Sequence, residues 1–247
     1  SLGITAGDEV IMPAHTFIAT AEAILQIGAV PVVVDVDESL NMSPVALSDA
    51  ITPRTRAVVP VHMMGEMSDM SQIEKIARDA NLLIVEDCAQ ALGTRHAGRY
   101  AGCFSDAAAF STDAGKTLCT GEGGFISLTD SQAFSRARAM HDHGHAYCPD
   151  TPRGEDPAIC VGFNYRMTEV QAAIGLVQLS KLERMQQLQR QNKEKIMTSL
   201  RSLPVEWRQT PIGSEESNDT IAMRLSDQAT ATRVANHLSD QGVATKN

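Results

Sequence analysis

Lys116 stands in the stretch STDAGKTLCTGEGG, residues 111–124, among small residues that give its stem no aliphatic cover and just before a turn carrying three glycines. A surface lysine seldom needs so much backbone freedom around it. Two chemistries use a lysine in such a setting. Gly115-Lys116-Thr117 could close a phosphate-cradling P-loop, or Lys116 could be a nucleophile presented to a cofactor. Counting decides against the first. A P-loop requires a glycine five residues before that of its Gly-Lys-Thr, so that consecutive backbone N–H groups wrap the phosphates. The residue there is Phe110, whose ring blocks that close approach. A solvated loop lysine remains the plainer alternative, to be judged by what else the sequence brings to the same place.

Several apolar runs end in residues that can do chemistry. His15, Thr16 and Phe17 follow EVIMP, His62 closes RAVVPVH, Glu86 and Asp87 close LLIVED with Gln90 just beyond, and Ser111 closes AAAFS. In parallel α/β sheets ligands collect at the carboxyl ends of the strands. A lysine, an aspartate and an aromatic ring at such ends match the needs of pyridoxal phosphate: an amine for a Schiff base, a carboxylate at the ring nitrogen and a ring packed on its face. A carboxylate about 4 Å from the pyridinium gains roughly 4 kcal/mol at an effective dielectric near 20. That is about three pK units, enough to keep the weakly basic nitrogen protonated at neutral pH. The alternatives at single positions are structural. Asp87 could be a helix cap, and Cys88 beside it reads as a small core residue.

These residues need a scaffold that brings strand ends to one edge. EVIMP (9–13) precedes an expected helix over 17–27. VPVVVDVD (30–37), RAVVPVH (56–62) and LLIVED (82–87) read as continuous apolar strands, with a helix near 69–79 between the last two. AAAFS (107–111) and GGFISLT (123–129) add strands on either side of the lysine loop. Such runs suit parallel strands covered on both faces, so the fold class is α/β. One long helix is expected from Thr168 to about Leu200, opened by Thr168 and Gln171 at capping-box spacing and ended by Pro204. TIAMRLS (220–226) then reads as a strand and TATRVANHLSDQG (230–242) as a helix. The expected division is a large cofactor-binding domain over 1–185, then a connecting helix and the beginning of a smaller α+β domain over 186–247. GITAGDEVIMP opens as a strand entry with nothing before it, and the chain is expected to be a fragment cut at both ends.

Five stretches in order, GDEVIMPAHTFIATAEAILQIGAVPVVVDVD, PVHMMGEMSDM, IVEDCAQALG, FSTDAGKTLCTGEGG and GFNYRMTEVQAAIGLVQL, together resemble the DegT/DnrJ/EryC1/StrS aminotransferases. These are fold-type-I pyridoxal-phosphate enzymes acting mainly on nucleotide-linked keto sugars or keto cyclitols, in polysaccharide and antibiotic sugar biosynthesis. Any one stretch is weak; five over residues 7–200 are specific. The resemblance implies that Lys116 forms the internal aldimine and later shuttles a proton between the substrate carbon and the cofactor. It implies that Asp87 pairs with the ring nitrogen, Gln90 lies near the phenolic oxygen, Phe17 stacks on the ring and Ser111 binds the phosphate. Asn164 would reach the phosphate from the neighbouring subunit of a homodimer with shared active sites, and Arg166 beside it is assigned to the substrate. The sequence departs from the family at Thr112 and Asp113, where many members carry an aromatic and a histidine, and at Thr117, where they carry asparagine; these departures bear on the substrate pocket. The family's glycine-threonine phosphate loop is expected before residue 1, and the rest of the substrate-binding part after Asn247.

Composition narrows the remaining classes. The chain has 247 residues, a net charge of −9 and 43% hydrophobic residues but only 4% aromatics, so it can bury a mostly aliphatic core. The negative charge argues against nucleic acid or an anionic membrane as partner. Five cysteines, odd in number and without a CxxC pair, favour reduced thiols and a cytoplasmic location. His141, His143 and His145 in HDHGH alternate, which on a strand would aim three rings one way as metal ligands. The family's His-Gly pair after a helix matches His143-Gly144 and would scatter them, so no metal is expected. The expected activity is amino transfer from glutamate or glutamine to a keto sugar or cyclitol. A dehydratase of the same family would replace the lysine with histidine, so Lys116 favours transfer. A truncated, non-catalytic relative is the alternative from another class.

Overall fold

The computed structural model describes residues 1–245, so the last two positions of the expected second domain lie outside the described residues. Alternation of valine-rich strands and capped helices sets the architecture. The chain runs β1 (Glu9–Pro13), α1 (Ile18–Gln26), β2 (Val30–Val34), α2 (Pro44–Ala50), β3 (Thr55–Val58), α3 (Met70–Asp79) and β4 (Leu83–Asp87). A short ladder of β5 (Arg95–His96) and β6 (Arg99–Tyr100) leads to β7 (Ala107–Ser111), β8 (Gly124–Leu128) and α4 (Ser131–Met140). Then come α5 (Glu169–Leu179), α6 (Leu182–Leu200), β9 (Glu206–Trp207), β10 (Ser214–Glu215), β11 (Met223–Arg224) and α7 (Gln228–Asp240). Side-chain caps fix most helix starts: Ser43 for α2, Asp69 for α3, Asp130 for α4, Thr168 for α5 and Asp227 for α7 each accept a backbone N–H of the first turn.

The central sheet has the order β2-β1-β3-β4-β7-β8. β1, β2, β3, β4 and β7 are parallel, and β8 returns antiparallel to β7. Because the five strands point the same way, the residues following Pro13, Val58, Asp87 and Ser111 all emerge at one edge. Period-two alternation splits the core between the faces. Ile11, Val34, Val58 and Ile84 pack with α2 and α3, whereas Val10, Met12, Ala57 and Val59 pack with Ile24 of α1. Cover on both faces holds for β1, which is buried throughout, but not at the sheet's two margins. Val30 and Val33 of β2 and Phe125 and Ile126 of β8 are exposed.

Three expected elements differ. The run 56–62 pairs as a strand only to Val58, because Pro60 has no N–H to continue the ladder. Its carbonyl still accepts from Asp87 N at 2.9 Å. The single helix over 168–200 is two, α5 and α6, parted at Ser180 and Lys181. The Ser180 hydroxyl donates to Val177 O at 2.8 Å and Lys181 N to Gln178 O at 3.0 Å, drawing both into a tighter turn. The run 220–226 forms only the two-residue β11 against β9.

After α6 the chain returns to the first part. β10 pairs with β5, and Arg208 donates to Met63 O at 3.0 Å and Met64 O at 3.2 Å. No helix among the described residues is long and apolar enough to cross a membrane.

Candidate active site

Glu86 and Asp87 are neighbours on β4 and therefore face opposite sides of the sheet. Glu86 is fully buried and accepts from Gly102 N and Phe104 N, both at 2.9 Å, from Ser105 Oγ at 2.7 Å and from His62 Nε2 at 3.0 Å. Burial pushes its carboxyl up, but the His62 contact and the other donors outweigh it and hold Glu86 below the usual carboxylate range. Ser68 N donates to His62 Nδ1 at 3.2 Å, which leaves Nε2 as the nitrogen that donates to Glu86. Both residues are thus committed to the core, although the strand-end pattern had put them among the candidates. With Cys88 they form the one His/Cys/carboxylate group among the described residues whose ligand atoms lie within 4.8 Å of each other. The Glu86 oxygens are already saturated, and burial pushes the Cys88 thiol up, which keeps it protonated.

Asp87 faces the α1 side and is half-buried. Its Oδ2 accepts from Thr20 Oγ1 at 2.9 Å and its Oδ1 from Ala89 N at 3.1 Å. Thr20 has one hydroxyl proton and gives it to the carboxylate, so the 2.7 Å contact between Thr16 and Thr20 has Thr16 as donor. A chain Thr16→Thr20→Asp87 therefore fixes the carboxylate through neutral donors, and among the described residues it has no ion pair. Phe17, between the two threonines in sequence, occupies the N-cap position of α1 with no side-chain cap, and the residue is 69% exposed.

Gln90 is anchored by its carbonyl end. Its Oε1 accepts from Met64 N at 2.9 Å, in a turn where Met64 takes a left-handed φ of 53°. The same turn is gripped through its carbonyls by Arg208, whose side chain is almost fully buried. A residue beyond the long helices thus helps hold Gln90.

Ser111 closes β7, paired with Gly124 of β8, and Lys116 lies on the loop between the two strands. Ser111 Oγ accepts from Asp113 N at 3.3 Å, and Lys116 N donates to Asp113 O at 3.1 Å. The neck of the loop is closed by Thr120 N donating to Thr112 O at 2.8 Å and by the two hydroxyls at 2.7 Å. Thr112 and Thr120 are buried, so the family departure at Thr112 serves here to pinch the loop shut. Gly123 follows at φ 141°, where an added Cβ would come within 2.9 Å of Thr112 Oγ1. α5 also braces the turn, since Gln171 Nε2 donates to Glu122 O at 2.7 Å while Gln171 completes the Thr168 capping box. Lys116 itself is half-buried, and among the described residues its Nζ has neither a hydrogen bond nor an ion pair. A lysine amine without a partner in a braced, partly enclosed loop is the observation that fits a carbonyl cofactor.

Asn164 and Arg166 lie apart from this group in the contacts they make. Segments 140–145 and 158–165 run together through Phe163 N to Met140 O at 2.8 Å, His143 N to Phe163 O at 3.0 Å and Tyr165 N to His141 O at 2.8 Å. Gly144 makes the approach possible: at φ 86°, an added Cβ would meet Cys160 O at 2.0 Å. Arg166 Nε donates to Asn164 Oδ1 at 3.0 Å, and Arg166 Nη1 lies 3.1 Å from Asp142 Oδ1. Asp142, 1% exposed, also pairs with Arg153 and accepts from Tyr147 OH at 2.7 Å. The Arg153 guanidinium, seconded by Tyr147 and Arg166, holds its carboxyl far below the usual range. The three histidines do not converge. His141 bonds the Arg138 carbonyl, His143 sits at φ 56°, and His145 faces Asp156 at 3.3 Å.

Thr20, Asp142 and Arg208 were not foreseen. Thr20 had a weak signal, a hydroxyl one helical turn after Phe17 beneath the strand end. Arg208 had none, since its partners Met63 and Met64 are distant in sequence, and no spacing rule links Asp142 to Tyr147, Arg153 and Arg166.

Comparison with known proteins gives a consistent picture. The profile of the DegT/DnrJ/EryC1/StrS aminotransferase family matches residues 1–247. GDP-perosamine synthase of Caulobacter vibrioides is 42% identical over 184 residues, covering 74% of this chain and 48% of that protein. L-glutamine:2-deoxy-scyllo-inosose aminotransferase of Micromonospora echinospora is 37% identical over 220 residues, covering 87% of this chain and 52% of that protein. Among solved structures, the aminotransferase TlmJ from Streptoalloteichus hindustanus superposes with a TM-score of 0.92 at 32% identity, over all of this chain and 66% of that one. The chain spans about half the length of the curated relatives it matches.

Proposed function

The chain belongs to the DegT/DnrJ/EryC1/StrS aminotransferase family, and from that premise we propose that it carries the cofactor-holding part of a pyridoxal-phosphate transaminase that moves an amino group from glutamate or glutamine to a keto sugar, nucleotide-linked, or to a keto cyclitol. The observation that carries the reading is the unpartnered, half-buried Lys116 amine in a loop closed at Thr112 and Thr120, on the same sheet edge as the held Asp87 carboxylate. Relatives named for GDP-perosamine and for scyllo-inosose supply the substrate classes.

In this reading Lys116 Nζ would hold the cofactor's aldehyde carbon and, when that bond is open, would carry the proton to and from the substrate carbon. Asp87 keeps a proton on the ring nitrogen, Phe17 covers one ring face, Gln90 presents its NH2 end to the phenolic oxygen, and Ser111 donates to the phosphate. Asn164 donates to the phosphate held by a second copy of the chain, and Arg166 receives the substrate. When bound, pyridoxal phosphate supplies the electron sink that stabilises negative charge on the substrate carbon. The division near residues 185 and 186 belongs to the same proposal, with residues 1–185 holding the cofactor. So does a cytoplasmic location, which the five free cysteines favour.

Protein expressed from its complete reading frame, given glutamate or glutamine and a panel of nucleotide-linked 4-keto sugars and keto-inositols, should convert one acceptor to its amine by mass spectrometry. Cofactor binding with loss of water from the sugar, and no amine, would replace transfer with dehydration. Failure to bind cofactor would leave a non-catalytic relative.

A further inference from the structure

Asp142 is a buried carboxylate met by two arginines and a tyrosine hydroxyl, a set of partners that packing alone does not explain. It sits at the junction of segments 140–145 and 158–165, directly across the isolated bridge from Asn164. Two guanidiniums, Arg153 and Arg166, meet its Oδ1, and the Tyr147 hydroxyl takes Oδ2. Arg166 has its Nη1 on Asp142 and its Nε on Asn164 Oδ1 at 3.0 Å. A planar guanidinium anchored at one nitrogen has little freedom left at the others. The consequence falls on Asn164. A carboxamide offers an acceptor at one end and two donors at the other, and a flip exchanges them. With Oδ1 occupied by Arg166 Nε, Asn164 has its NH2 end as the group left for a ligand, and that end can meet only an acceptor.

We propose that Asp142 is a positioning residue that, through Arg166, fixes the Asn164 carboxamide with its NH2 end outward, so that the Asn164 position recognises an anion, here the phosphate of the cofactor. The proposal rests on the reading of Asn164 given above and adds to it the reason its orientation is single. Arg153 and Tyr147 hold Asp142 from the other side, so the relay stands on an anchored carboxylate.

The test compares the phosphorylated cofactor with pyridoxal, which lacks the phosphate, by absorbance titration of protein from the complete reading frame. Asp142→Asn should weaken binding of pyridoxal phosphate about tenfold, the scale of one charge-assisted hydrogen bond, and leave pyridoxal binding unchanged. Asn164→Ala should show the same selective loss, and the double variant should lose no more than Asn164→Ala alone. Should Asp142→Asn fail to fold, Arg166→Lys, a change at a surface-facing residue, keeps a cation beside Asp142 but cannot also reach Asn164, and should reproduce the loss. Wild-type selectivity in whichever of the two folds, or an equal loss for both cofactor forms, would overturn the relay. If Asn164→Ala also left selectivity unchanged, the phosphate role of Asn164 itself would fall, and the relay with it.

Discussion

Asp87 and Asp142 are both held on each oxygen, yet they are held by opposite kinds of partner. Asp87 is fixed by the Thr20 hydroxyl and the Ala89 N–H, which orient it without cancelling its charge. Asp142 is fixed by Arg153, Arg166 and Tyr147, which spend its charge inside the protein. A carboxylate meant to face a cationic ligand needs neutral holders, because a nearby arginine would compete with the ligand for the same field. A carboxylate meant to aim other side chains gains from charged holders, because charge-assisted contacts to a planar guanidinium carry direction as well as energy. The residue type is shared; the partners assign the work.

The sharpest way to break this contrast is to remove the charge at Asp87. Asp87→Asn is nearly isosteric and can still accept from Thr20, so the fold should persist, while steady-state transamination should fall by about three orders of magnitude or more. Turnover near wild type would make Asp87 a structural cap. A smaller effect is expected from the holder. Thr20→Val keeps the shape of a buried side chain but removes the hydroxyl, and kcat should drop about tenfold as the carboxylate loses its single orientation. An unchanged kcat would show that Ala89 N suffices.

The smallest effect concerns the other aspartate. Its folded-state pKa is depressed, with Arg153 as the leading cause, so its contribution to stability is present above the ordinary Asp value of 3.8 and is lost as pH falls below it. Arg153→Gln should therefore move the acid-unfolding midpoint, followed by circular dichroism, upward by a few tenths of a pH unit. A midpoint that does not move would mean that Arg166 and Tyr147 alone set the state of Asp142.

How far each region could be read from sequence follows the same contrast. The strand ends around Asp87 announce themselves because apolar runs of β1, β4 and β7 are local patterns, and a parallel sheet carries their ends to one edge. The capping box at Thr168 and Gln171 was legible for the same reason. What local pattern could not reveal is which of two adjacent acids the core takes up; His62 and three other donors hold the buried Glu86, and Asp87 is left half-buried on the α1 side. Nor could it show that α5 and α6 are parted at Ser180, that β8 runs antiparallel, or that HDHGH contains in Asp142 a buried anchor for Arg153, Arg166 and Tyr147. The anchoring of Asp142 depends in part on Arg166, which the fold brings to it from 24 positions along the chain.

The central claim is that Lys116 is the amine that holds the cofactor. Protein from the complete reading frame, loaded with pyridoxal phosphate and reduced with borohydride, should carry the phosphopyridoxyl group on the tryptic peptide containing Lys116. Recovery of that group on Lys181 or on any other lysine, with Lys116 unmodified, would contradict it.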